Sequence, residues 1–337
     1  MMWLPKLVKG VCLSPRRIID PSQGSDLGGG YILCNSNITT LLFVGFHDLH
    51  RFKLLLFTIL FMTYCLTICG NLVIITLVYY NKSLHTPMYF FLSQLSVTDI
   101  ILTTDISPNM LNIVLHEQTF ISVSGCISQL HIFASAEMLE CFILTLMSYD
   151  RYLAICSPLQ YALIMNHVLC IKLTFVSWLL SCSIPFIITF SILQLHFCGP
   201  NTIDHFFCDF YPLVKLSWSD PSIVILEATV VSMHVIVVPF VLIVASYMFI
   251  VVTILKITSF SGRLKSFSTC SSHLAVVSIF YGTLIATYML PKEKSQVVSK
   301  ALSLLYTVFT PLFNPFIYSL RNKDIKKAWR NVLPKFL

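Results

Sequence analysis

Apolar runs long enough to cross a bilayer, about 20 residues each, recur seven times along the chain. They are Leu54–Tyr79, Met88–Leu115, Ile127–Cys156, Val168–Leu193, Ile223–Leu255, Phe267–Leu290 and Val297–Leu320. The second is interrupted by Asp99, Asp105 and Pro108, and the third carries Glu137 and Glu140. Connections are short except His196–Ser222. The pattern predicts an all-α, seven-transmembrane helix bundle. After the last run, Ile325, Ala328, Trp329 and Val332 recur at helical spacing among basic residues. This predicts a short amphipathic helix on the inner leaflet, drawn to anionic membrane lipid.

An odd number of spans places the termini on opposite sides. Short cytoplasmic loops hold the excess of Lys and Arg. With the C-terminus inside, the inner segments hold Lys82, Arg151, Lys172, Lys256, Arg263, Lys265, Arg321, Lys323, Lys326, Lys327, Arg330 and Lys335. The outer segments after residue 34 hold only Arg51, Lys53, Lys215, Lys292, Lys294 and Lys300. The chain therefore reads as an extracellular tail over 1–53, a membrane domain over 54–320 and a cytoplasmic tail over 321–337. The first 34 residues, with Gly28-Gly29-Gly30, read as a disordered leader without the apolar core of a signal peptide. Asn37-Ile38-Thr39 is a glycosylation sequon in the outer segment; Asn81-Lys82-Ser83 falls on an inner loop and is expected to stay unmodified.

Composition excludes the soluble alternatives. The 337 residues are 56% hydrophobic and 11% charged, where soluble domains are about a quarter charged. The net charge of +7 is scattered over loops and makes no stripe that could track nucleic-acid phosphates. The 12 cysteines include no Cys-x2-Cys pair of the zinc type. His47-Asp48-Leu49-His50 superficially suggests metal ligands, but it precedes the first span with no supporting ligand evident, and no enzyme is expected. A transporter would also need seven or more spans and buried acids, but repeated halves with matching broken helices are not evident.

Acids inside a bilayer are costly and point to function. Asp99 and Glu140 fall at similar depth on antiparallel helices, so one must hold a proton or the two must share a cation. Asn71 and Asn314 are placed to complete that cluster, as a possible sodium site or as a packing knot. Glu137, Glu140, Cys141, Leu144, Ser148 and Arg151 follow steps of three and four, and share one face of the third helix.

The strings along these spans resemble those of a rhodopsin-like G-protein-coupled receptor, and within that class an odorant receptor of the tetrapod type. They are Gly70-Asn71, Leu84-His85-Thr86-Pro87-Met88-Tyr89-Phe90-Phe91-Leu92, Met147-Ser148-Tyr149-Asp150-Arg151-Tyr152-Leu153-Ala154-Ile155-Cys156, Lys265-Ser266-Phe267-Ser268-Thr269-Cys270-Ser271-Ser272-His273-Leu274, and Pro311-Leu312-Phe313-Asn314-Pro315-Phe316-Ile317-Tyr318. The resemblance covers about residues 37–330. It implies a plasma-membrane receptor that takes a small volatile ligand and activates a heterotrimeric stimulatory G protein to raise cyclic AMP. A metabolite sensor of the same family outside the olfactory epithelium is the alternative.

The resemblance also implies residue roles. Asp150, Arg151 and Tyr152 correspond to the G-protein coupling segment, and Asn314, Pro315 and Tyr318, with Tyr247, to its switch. The ligand pocket would be lined by Ala134, Glu137, Met138 and Cys141 on the third span and by Ala228, Val231, Ser232 and Val235 on the fifth. Tyr281 and Tyr288 on the sixth and Thr307 on the seventh would complete it. Cys126 and Cys208 correspond to the family's disulfide. Where the family has a further loop cysteine this chain has Trp218, which leaves Cys198 as a candidate free thiol. Glu137 is a further departure, an acid where the family's third helix faces ligand; a cationic ligand or a proton would answer it. No cofactor is implied beyond the possible sodium ion.

Overall fold

The computed structural model describes residues 13–14, 32–33, 38–45, 52–289, 296–321 and 323–332, with some side chains inside these ranges left undescribed. The long helices are α1 (Lys53–Tyr80), α2 (Pro87–His116), α3 (Val123–Cys156), α5 (His167–Leu193), α7 (Ser222–Lys256) and α8 (Phe260–Met289). Short helices α4 (Pro158–Ile164) and α6 (Phe210–Lys215) lie in the connections. The seventh span is composite: α9 (Gln296–Leu304), a π-helical turn at Leu305–Phe309, then α10 (Thr310–Arg321). The last helix is α11 (Lys323–Val332). Predicted spans and observed helices agree closely, except that α8 begins about two turns earlier, at Phe260.

Why these segments are helices follows from the solvent. Lipid offers backbone N–H and C=O groups no partner, so each span must satisfy its own. Six of the seven spans are apolar enough to cross a membrane by length and composition. The exception, α2, turns its polar residues inward: Ser96, Thr98, Asp99, Thr103 and Ser107 are all buried. By contrast α7 exposes Val237, Val238, Val241, Leu242, Val244, Met248 and Phe249, a surface made for hydrocarbon. The chain is a multi-pass membrane protein.

One end of the bundle carries a small sheet that the apolar pattern does not show. Strand β3 (Thr40–Phe43) pairs antiparallel with β4 (Thr119–Ser122) and parallel with β5 (Thr202–Ile203). Side chains alternate across it: Leu41 and Phe43 are buried, Thr40 is exposed. Two residue pairs of the leader, β1 (Leu13–Ser14) and β2 (Ile32–Leu33), form a separate antiparallel ladder; the rest of the expected disordered leader, and Asn37 of the sequon, lie outside the described residues. Gly45 lets the chain leave the sheet, since a Cβ there would come within 3.1 Å of Ile113 and 3.3 Å of the His205 carbonyl. The Lys300 ammonium of α9 donates to the Gly45 carbonyl at 2.8 Å and pairs with Asp204.

The long connection is tied down at the same end. Cys126 and Cys208 form a disulfide. Gln129 uses both ends of its amide, accepting from the Cys208 N–H at 3.0 Å and donating to the Asp105 carbonyl at 2.7 Å. The expectation of a free thiol at Cys198 is wrong, because Cys198 is disulfide-bonded, to a partner outside the described residues. Trp218, at the position of the absent loop cysteine, joins the two ends of the loop through backbone: its N–H donates to the His196 carbonyl at 2.7 Å, beside a bridge between Phe197 and Ser217.

The sheet's inner face generates a stability prediction. Leu41→Ala should cost about 2–4 kcal/mol, because it empties a filled site, whereas Thr40→Ala on the opposite face should stay within about 0.5 kcal/mol. Thermal unfolding of the purified receptor in micelles measures both.

Candidate functional site

Two clusters and one cavity lie along α3. The central cluster depends on a close helix approach. Gly70 leaves room for Pro315, whose ring atoms would sit 3.1 Å from a Cβ at that position. This brings α10 against α1, where the Asn71 amide donates to Thr67 O at 3.1 Å and Pro311 O at 3.4 Å. Across the bundle, the Asn314 amide nitrogen lies 3.0 and 3.2 Å from the two Asp99 carboxyl oxygens and 3.3 Å from Glu140 Oε1. All four residues are buried. Asn71 Oδ1 has no hydrogen-bond partner among the described residues. Two carboxyls on one amide cannot both carry charge in so dry a place unless a cation joins them or one keeps its proton.

Toward the Asp150 end, α3 closes with a locked pair. Asp150 is fully buried and takes both the Arg151 guanidinium and, at 2.8 Å, the Tyr161 hydroxyl from α4. Tyr152 turns outward onto Phe249 of α7, with ring centroids 5.9 Å apart. The Tyr247 hydroxyl bonds His273 Nδ1 at 2.6 Å, and His273 Nε2 reaches the Leu144 carbonyl at 3.2 Å. A carbonyl can only accept, so Nε2 carries the proton and Tyr247 donates to Nδ1. His273 thereby clamps α7 and α8 to α3. Tyr318 is buried, and its hydroxyl has no partner among the described residues.

Toward the disulfide end lies a cavity of about 80 Å³. It is lined by Ala134, Glu137, Met138 and Cys141 of α3 and by Val231, Ser232 and Val235 of α7. Pro185 and Ile188 of α5, Ile236 of α7, and Phe280 and Leu284 of α8 complete the wall. The other described residues named for the pocket from the sequence are not in this wall, although Tyr281 lies directly behind it beside Cys141. Ala228 is buried on α7 away from the cavity wall. Tyr281 packs on Phe240 at 4.9 Å; Thr307 donates to the Ser303 carbonyl at 2.7 Å within the seventh span; the Tyr288 side chain lies outside the described set. Small-molecule sites are typically about 300–1,000 Å³, so a ligand must spread these walls to enter.

Glu137 is the one acidic or basic side chain on that wall among the described residues. It has no hydrogen bond or ion pair among the described residues, while Glu140 and Asp209 are close enough to act on it electrostatically. His131, on the same helix, is engaged instead with Thr189 Oγ1 at 3.1 Å.

A closed seven-helix bundle with an Asp-Arg lock at one end and a lined cavity toward the other defines a receptor of the G-protein-coupled class. The olfactory receptor family profile matches residues 60–335. The chain is similar to human olfactory receptor 11L1, 46% identical over 88% of this chain and 93% of that one. It is also similar to human olfactory receptor 11A1, 45% identical over 89% and 95%, and to mouse olfactory receptor 5P52, 43% identical over 89% and 97%. The chain belongs to the olfactory receptor family, and it is a receptor rather than an enzyme.

The central cluster gives a prediction. Asn314→Leu removes the shared amide and leaves two buried carboxyls facing each other. The expected cost is about 2–4 kcal/mol, read as a lower unfolding temperature. Adding Asp99→Asn should return part of it, since the second amide again gives Glu140 a donor.

Proposed function

We propose that this receptor binds a small volatile organic molecule between α3, α5, α7 and α8 and activates the stimulatory G protein of olfaction, raising cyclic AMP. The single observation that supports this is the continuity of α3. One helix carries the cavity face, Ala134–Cys141, the buried cluster through Glu140, and the Asp150-Arg151 lock. A ligand that spreads the cavity displaces α3 against α7, and the Tyr247–His273–Leu144 clamp lies on that path. Ligand-driven shift between two states would then free Arg151 from Asp150 and Tyr161 to meet the G protein. In this reading the N-terminus and the sheet face outward, the Asp150 end lies in the cytoplasm of a cell whose plasma membrane holds the receptor, and Asn37 carries a glycan.

Glu137 sets the ligand class. An unpaired carboxylate in an apolar cavity costs several kcal/mol, so a cationic amine is the occupant that gains most from it. Neutral alcohols and ketones would meet only Ser232 and the apolar walls. The test is a panel of volatile amines, alcohols and ketones on wild type, Arg151→Ala and Glu137→Gln at equal surface density, read as cyclic AMP. Arg151→Ala should abolish every response, and Glu137→Gln should weaken amines about tenfold or more while sparing neutral agonists. Full signalling by the Arg151 variant would sink the coupling mechanism. Amines that are inactive on wild type, or unaffected by Glu137→Gln, would sink the ligand assignment.

The Asp99, Glu140, Asn314 and Asn71 cluster fits a sodium ion on the same terms. It offers two carboxyls, and Asn71 Oδ1 is an orphaned acceptor beside them. When bound there, the ion would neutralise the carboxyl pair and favour the closed arrangement. Raising sodium at constant ionic strength should lower agonist-independent cyclic AMP, and Glu140→Gln should abolish that dependence. An unchanged sodium response in the variant leaves the cluster as a packing knot.

A further inference from the structure

A second cavity opens on the lipid side of the bundle, between α3, α5 and α7, with a volume of about 370 Å³. Its walls are mainly hydrocarbon, including Phe142, Leu180, Val238 and Leu242. Against that background it holds a histidine. His234 lies well inside α7 and is exposed on the face that meets lipid. A polar ring facing hydrocarbon with nothing to bind is unfavourable, and such residues within spans tend to mark a site.

The polar atoms of this groove share one property. His234 Nδ1 lies 2.7 Å from the Val230 carbonyl. The carbonyl can only accept, so the neutral ring spends its proton there and presents Nε2 as a bare acceptor. Thr145 gives its hydroxyl proton to the Cys141 carbonyl at 2.8 Å, and Ser177 gives its own to the Leu173 carbonyl at 2.9 Å. Pro239, also in the wall, has no N–H to offer the Val235 carbonyl one turn earlier. Every polar group of the groove is therefore an acceptor with its proton already committed or absent. The complement is a molecule with an apolar body and a hydrogen-bond donor.

We propose that this groove is a second ligand site, separate from the Glu137 cavity, that takes a hydroxyl-bearing amphiphile from the bilayer, its O–H donating to His234 Nε2. The chain of the amphiphile lies along Leu180, Val238 and Leu242, parallel to the acyl chains around it. An ammonium would also donate, but it would bring an uncompensated charge into hydrocarbon. Val235 lines both cavities, so an occupant of the groove presses on one wall of the Glu137 site.

The test uses the full-length receptor in phosphatidylcholine nanodiscs and a long-chain primary alcohol bearing a mid-chain diazirine, with its methyl ether as the comparison. The ether keeps the shape and loses the donor. After irradiation, label from the alcohol should map to the peptides carrying Phe142–Leu146 or His234–Leu242. The ether should label them about threefold to tenfold less, the range that one net hydrogen bond supplies. His234→Phe, which removes the acceptor from a lipid-facing position, should lower labelling by the alcohol to the level of the ether. Should that variant fail to fold, the alcohol-to-ether ratio on wild type decides by itself. Equal labelling by the ether, undiminished labelling of a folded His234→Phe receptor, or label confined to the Met138 and Phe280 peptides would each overturn the proposal.

Discussion

The amide of Asn314 is within hydrogen-bond reach of carboxyl oxygens from two other helices, Asp99 on α2 and Glu140 on α3, and the rest of the bundle is arranged to make that possible. Gly70 gives α10 its close approach to α1, Asn71 anchors the same helix through Pro311 O, and α2 gives up apolarity to keep its polar face inside. In lipid there is little hydrophobic force between helices, so packing and interhelical hydrogen bonds hold them together. A donor shared by two acids is also sensitive. Whether a proton or a cation balances the second charge changes the attraction among three spans at once, at the level of α3 where the cavity wall ends at Cys141.

Much of this was legible in the sequence because the bilayer allows few alternatives. A span must be about 20 residues long and helical, so boundaries read from apolar runs fell close to the observed ends. The acids stood out because their cost in hydrocarbon leaves them without an ordinary explanation. The sheet was not legible. Thr40–Phe43 is four residues long and pairs with segments far along the chain, so no local pattern marks it as a strand. Cys198 was misread for a related reason: a bond partner distant in sequence leaves no trace in the loop itself.

The cavity was half legible. The faces of α3 and α7 followed from helical spacing once the resemblance had suggested which side looks inward. Pro185 and Ile188 were not named, although Thr174, Ser177 and Ser181 recur in steps of three and four on α5 and their buried face runs on to Pro185; a few small hydroxyls in so apolar a helix are a weak signal. Tyr161, His273 and Gln129 were missed for a different reason. Each works through a hydrogen bond to another element, and such a bond depends on the rotation of two helices together. Tyr281 lies behind the wall beside Cys141 and packs on Phe240, while Thr307 bonds within its own span.

The wide turn at Leu305–Phe309 has a consequence for the seventh span. A π-helical turn holds one residue more than the α-helix around it, and each residue advances the helix by about 100°. The two halves of the span are therefore out of phase, and Asn314 faces Asp99 only while that surplus residue stays where it is. Were the turn to tighten into regular α-helix, α10 would rotate beneath α9 like a key, carrying its amide away from both carboxyls. The span thus holds a built-in index step, one residue wide, between the half that faces the sheet and the half that ends beside the Asp-Arg lock.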